Sequence, residues 1–154
     1  MVISVLAVGR NKALQSATDE YERRAARYWR FEVEEISHGR GPGPGPVRLQ
    51  EAERLQARLK PRFKLVCLTR SGKSMTSTGL SDWLHELAIR STPGVHFLVG
   101  GAFGLAPDLI SRADLTLSLS SFTFPHDVAR MLLAEQIYRA GTILKNEPYH
   151  KGAT

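Results

Sequence analysis

The chain holds a single cysteine, Cys67, among its 154 residues. A lone cysteine excludes an intramolecular disulfide framework and any metal site built from several thiolates. Its place in the apolar run "FKLVCL" marks it as a buried, inert thiol in a reducing compartment. No apolar run reaches the ~20 residues that a membrane-spanning helix needs. The opening "MVISVLAVGR" has no basic residue ahead of its apolar stretch and meets Gly9 at once, so it reads as a strand rather than a signal peptide. A soluble, cytoplasmic protein without membrane attachment is expected. Paired carboxylates of the acid–base type are also missing, as are repeats and any low-complexity tract beyond "GRGPGPGP". A phosphate-loop look-alike and a dinucleotide-loop look-alike both fail. "TRSGKS" has Cys67 where the motif needs glycine and no helix directly after its lysine, so it reads as a strand-to-helix loop. "VGGAFGL" has neither the dinucleotide spacing nor an acidic residue about 20 positions on.

What is present is a basic chain of one-domain length. Its 21 Lys and Arg against 15 Asp and Glu give a net charge of +6, which suits a polyanionic partner. Apolar runs at Val2–Val8, Phe63–Leu68, Val95–Val99 and Leu115–Leu119, with the alternating Phe31–Ile36, predict strands. Helical spacing covers Lys12–Trp29, Val47–Leu59, the segment from Ser77 to Ile89 with Ser77 and Thr78 as cap candidates, and Val128–Leu144. "HGRGPGPGPV" predicts a mobile loop, because proline lacks a donor and glycine lacks restraint. Strands alternating with helices give an α/β domain with a mostly parallel sheet.

Two segments and one helix invite functional readings. Gly100, Gly101 and Gly104 follow a strand, where they serve either a tight turn or close approach of a ligand to the main chain. "LSLSSFTFPH" ends a strand in hydroxyls with interleaved Phe122 and Phe124, which suits a flat, partly apolar cofactor or a core strand. The last helix is apolar nearly all round, from Val128 and Met131 through Leu144. Such a helix is either covered by a second subunit or central to a monomer core.

The succession "ISVLAVGR", "FLVGGAFGLAP", "LSLSSFTFPHDVARMLLAEQIYRA" and "NEPYHKG" resembles, over essentially the whole chain, the bacterial large-subunit ribosomal RNA pseudouridine N3-methyltransferases of the SPOUT superfamily. The resemblance implies a single α/β domain with a C-terminal trefoil knot and S-adenosylmethionine as methyl donor. It implies a homodimer acting on 23S rRNA in the large subunit or assembled ribosome, with no metal. Carried onto this sequence, it places the cofactor at Leu68, Gly100, Leu119, Ser120, Ser121, Phe122, Thr123 and Phe124. Arg139, Tyr149 and His150 fall at the methylated base, and His126 and Arg130 are further substrate contacts. One departure is "GRGPGPGP", where the family leads us to expect a lysine-rich loop; that puts RNA contact by this loop in question. Two other readings share these features: a non-catalytic RNA-binding or ribosome-associated module, and a knotted methyltransferase acting on transfer RNA. Binding of S-adenosylmethionine separates the first, and a substrate assay the second.

Overall fold

The computed structural model describes residues 1–151. Five strands form one wholly parallel sheet: β1 (Val2–Val8), β2 (Arg30–Ile36), β3 (Lys64–Ser74), β4 (Gly94–Val99) and β5 (Leu115–Ser118), in the order β2-β1-β4-β3-β5. Helices α1 (Gln15–Ala25), α3 (Ser77–Ile89) and α5 (His126–Leu144) cover one face, and α2 (Pro44–Gln56) with the short α4 (Pro107–Arg112) covers the other. The two-residue period of the strands divides the core accordingly. Ile3, Val5, Val95 and Phe97 meet Leu84, Leu133 and Ile137 on the first face. Leu6, Val8, Cys67 and Leu98 meet Leu55 and Leu109 on the second. Burial on both faces is why these strands read as continuous apolar runs.

Four sequence expectations need correction. The Gly-Pro stretch is not wholly loop: α2 starts at Pro44, so Pro44, Gly45 and Pro46 form its first turn. Proline fits there because the first-turn N–H groups have no helical acceptor in any case. Ahead of it, Ser37, His38 and Arg40 are tied to the body of α2. Gln50 Oε1 accepts from the Arg40 N–H at 3.0 Å, and Arg54 Nη1 donates to Ser37 O at 2.9 Å and to His38 O at 2.6 Å. Second, "TRSGKS" is not a loop. It extends β3, with Lys73 and Ser74 pairing with Leu117 and Ser118 after a register shift beyond Leu68. Third, α3 is capped by Thr76, whose Oγ1 accepts from Gly79 N at 2.9 Å, and not by Ser77 or Thr78. Fourth, α1 is shorter than the Lys12–Trp29 pattern by several residues at each end. Among the described residues no helix is long and apolar enough to cross a membrane.

Candidate active site

The middle of β3, at its register shift, and the carboxyl end of β5 open a pocket lined by Leu68, Thr69, Arg70, Leu117, Leu119, Ser120, Phe122, Thr123, Phe124 and Ala129. Its rear wall is apolar and its rim is hydroxylic. The bend after β5 is fixed locally. Ser118 Oγ lies 2.9 Å from the Arg70 carbonyl and 3.0 Å from that of Ser120, one of which takes its proton. Ser120 Oγ accepts from Phe122 N at 3.1 Å. Across the mouth, Arg70 Nη1 donates to Thr123 Oγ1 at 2.9 Å. Pro125 then ends the segment and serves as N-cap of α5. Phe122 is 79 % exposed, so the fixed wall is Leu68, Leu117, Leu119 and the half-buried Phe124, with Phe122 a free ring at the edge.

Six of the eight residues expected at the cofactor, Leu68, Leu119, Ser120, Phe122, Thr123 and Phe124, line this pocket; Ser121 and Gly100 do not. Gly100 has a different constraint. A Cβ there would lie 2.7 Å from Gly104 C and 2.9 Å from Leu105 N, so the loop folds back on itself too closely for any side chain.

A second cluster stands on the far half of α5 and the 3-10 turn Pro148–His150. Glu135 Oε1 accepts from Arg139 Nε at 3.0 Å and from the Tyr149 hydroxyl at 3.0 Å. The Arg139 guanidinium stacks 4.8 Å from the Tyr149 ring centroid, which in turn packs 4.6 Å from that of Tyr138. The Glu135 hydrogen bond holds the Arg139 pKa above its ordinary value. Burial and the neighbouring carboxylate push the Tyr149 phenol up to about 12. His150 Nδ1 is buried and has no hydrogen-bond partner. The structure therefore brings Arg139, Tyr149 and His150 to one end of α5. The ten residues from Ala129 to Arg139 put that end about 15 Å along the helix from the pocket.

His126 and Arg130 go elsewhere. Arg130 is 7 % exposed and spans Glu22 (2.9 Å) and Glu35 (2.8 Å). Burial opposes its charge, yet the two carboxylates still raise its pKa. It ties α1 and β2 to α5, and its guanidinium is spent on that task. His126 stands edge-on to His38, ring centroids 5.6 Å apart, with Nε2 3.3 Å from Arg10 O.

Residues 1–150 match the profile of a family described as "Predicted SPOUT methyltransferase". The chain belongs to the SPOUT methyltransferase family. It is 44% identical over 155 residues to a protein of Gemmatimonas aurantiaca named "Ribosomal RNA large subunit methyltransferase H", spanning 98% of this chain and 100% of that protein. Proteins of the same name from Desulforamulus reducens and Anaeromyxobacter dehalogenans are each 40% identical, over 97% and 98% of this chain and 98% and 100% of their own lengths.

In this SPOUT methyltransferase, sequence reasoning missed Thr69, Arg70, Leu117 and Ala129 in the pocket and Glu135 in the tail cluster. Arg70 lay inside "TRSGKS", weighed only as a phosphate loop. Glu135, a carboxylate in the mostly apolar middle of this helix, was itself the available signal, since such a group needs a partner. Among the described residues no three His, Cys, Asp or Glu side chains gather as a metal site.

Proposed function

We propose that this protein transfers a methyl group from S-adenosylmethionine to ring N3 of a pseudouridine in 23S ribosomal RNA. It would act as a knotted homodimer in the cytoplasm, on the large subunit or the assembled ribosome. The observation that carries this is the pocket between the middle of β3 and the end of β5, lined by six of the eight residues expected to hold the cofactor. The donor set fits the group: flat apolar walls at Leu68, Leu117 and Phe124 for an adenine ring, with Thr69, Ser120, Thr123 and exposed main chain for its polar edges. The names of the relatives agree with the substrate class.

When bound, the cofactor supplies an electrophilic methyl on a sulfonium. The chain's own residues need only orient, exclude water and manage one proton. Ring N3 of pseudouridine is a poor nucleophile until its proton leaves. We assign receipt of that proton to His150, whose Nδ1 has no partner within the chain and whose imidazole is a common general base. The Arg139 cation, held by Glu135 and stacked on the Tyr149 ring, would ease the negative charge left on the imide. The ~15 Å along α5 between pocket and cluster argues that the two halves of a site come from different subunits. Half-exposed Val128, Met131 and Leu132 on α5 offer the apolar face for that pairing.

The test is methylation of ribosomes and isolated large subunits with labelled cofactor, beside a cofactor titration on the free protein. Cofactor binding with label at a pseudouridine of 23S rRNA is the expected result. Failure to bind cofactor would favour a non-catalytic RNA-binding module, and label on transfer RNA a different substrate.

A further inference from the structure

The turn between β1 and α1 carries a buried polar group that no part of the reaction uses. Gly9 turns the chain out of the sheet at φ +90°, a left-handed conformation that favours glycine. A Cβ there would also lie within 3 Å of the His38 and His126 rings. The chain then passes through Arg10, Asn11 and Lys12. Asn11 is only 6 % exposed, yet neither its amide nitrogen nor its amide oxygen has a partner. Its backbone N–H is held by Glu35 Oε2 at 3.0 Å, so the residue is fixed. It lines a polar cavity of about 500 Å³ with Arg10, Lys12, Gln15, Asp19, Glu35 and Arg130. A second cavity of about 640 Å³, with His38, His126 and Asp127, shares Arg10, Lys12 and Glu35 with the first. Both volumes fall in the ~300–1,000 Å³ range of small-ligand sites, and both lie at the carboxyl edge of the sheet, where α/β proteins bind ligands.

The groups divide by availability. Glu35 and Arg130 are paired with each other, so they form a floor and not a reader. Arg10 and Lys12 are exposed and in no ion pair among the described residues. Asp19 and Asp127 make the surroundings mixed in sign. That field disfavours a bare polyphosphate and favours a ligand with one anionic group beside a polar, neutral edge. An asparagine amide offers a donor and an acceptor side by side, the pattern that pairs with a nucleobase edge. We propose that Arg10, Asn11 and Lys12 form a second RNA-contact site, which takes one nucleotide of the substrate strand. Asn11 meets the base edge, and Arg10 and Lys12 meet its phosphates.

This inference rests on RNA being the substrate, and its test does not require methyl transfer. The protein is titrated against ribosomes by cosedimentation without cofactor, over a range of salt. Asn11→Leu, which keeps the shape and removes both polar atoms, should bind roughly tenfold more weakly. Arg10→Ala and Lys12→Ala should each lower the slope of log K against log salt by about 0.7–0.9. All three should keep wild-type affinity for S-adenosylmethionine. Asn11→Leu binding as tightly as wild type, or unchanged salt slopes, would mean that the amide holds only water and the site is overturned. Wild type that does not cosediment overturns it as well. Wild type that cosediments in the expected pattern but methylates nothing leaves this site standing and removes the proposed reaction instead.

Discussion

The phenol of Tyr149 donates to the same carboxylate oxygen, Glu135 Oε1, that accepts from Arg139 Nε, both at 3.0 Å. One acid on α5 thus fixes both the tail and the cation. Glu135→Gln weakens both charge-assisted bonds. The expected outcome is a fall in methyl transfer on the order of tenfold or more, with cofactor affinity unchanged, measured on ribosomes and by calorimetry. Full activity in the variant would detach this cluster from the reaction. In a spectrophotometric titration Tyr149 should ionise near 12; Tyr149→Phe should remove one late-titrating tyrosine.

Arg139→Ala and His150→Ala should each slow methylation, the former by about 100-fold if it acts as other preorganised donors do. His150→Ala should also alter the pH profile. If the site is shared between subunits, an inactive pocket variant, Ala129→Phe, mixed with Arg139→Ala should regain roughly a quarter of wild-type activity, since half the dimers are mixed and each has one intact site. Mixed subunits no more active than the separate variants would place pocket and tail in the same chain.

Gly100→Ala adds a Cβ 2.7 Å from the carbonyl carbon of Gly104, which is backbone and cannot swing aside. Overpacking of this kind costs about 1–3 kcal/mol, and denaturant unfolding should show it. Any loss of cofactor binding in Gly100 variants is therefore expected to accompany a loss of stability.

His96 is buried between β1 and β3, with Nδ1 3.0 Å from Ser4 Oγ and Nε2 accepting from Lys60 N at 2.9 Å. Burial, then the Lys60 charge, lower its pKa below the ordinary 6.5. The folded state resists protonation that the unfolded chain accepts, so stability is complete above about 6.5 and falls as the pH drops below it. Melting temperatures across that window should show the decline, and His96→Gln should flatten it.

Cys67 is fully buried, and burial lifts its thiol to about 11. A disulfide reagent at neutral pH should leave it unlabelled until the protein unfolds. Rapid labelling of native protein would contradict the packing of β3 against α4.

The strands were legible because a parallel sheet covered on both faces demands mostly apolar side chains, as in "VISVLAV" and "VHFLV", whose only polar members, Ser4 and His96, pair with each other. The end of β3 was not, since Lys73 and Ser74 contribute only backbone to the pairing with β5 and leave no hydrophobic trace. Six residues of α4 are too few to show a period, although Pro107 and Asp108 mark its start. The start of α2 was hidden by the residues that usually end helices. At the site, Leu119–Phe124 stood out by alternation and through the family resemblance. Arg70 and Glu135 did not, because each gains its role only when β5 or the tail folds against it. Asn11 gave no signal at all, since an asparagine two residues past a glycine reads as part of an ordinary turn.

The placement of β1 between β2 and β4 also sets a timetable. Val2 lies beside Gly94 in the finished sheet, yet a ribosome adding ~5–20 residues per second needs roughly 5–20 s to travel from one to the other. Throughout that interval one edge of the most apolar strand has no neighbour. Folding of this chain is thus governed by non-local closure, which is slow, and a nascent chain stalled before residue 94 should be a substrate for chaperones rather than a stable intermediate.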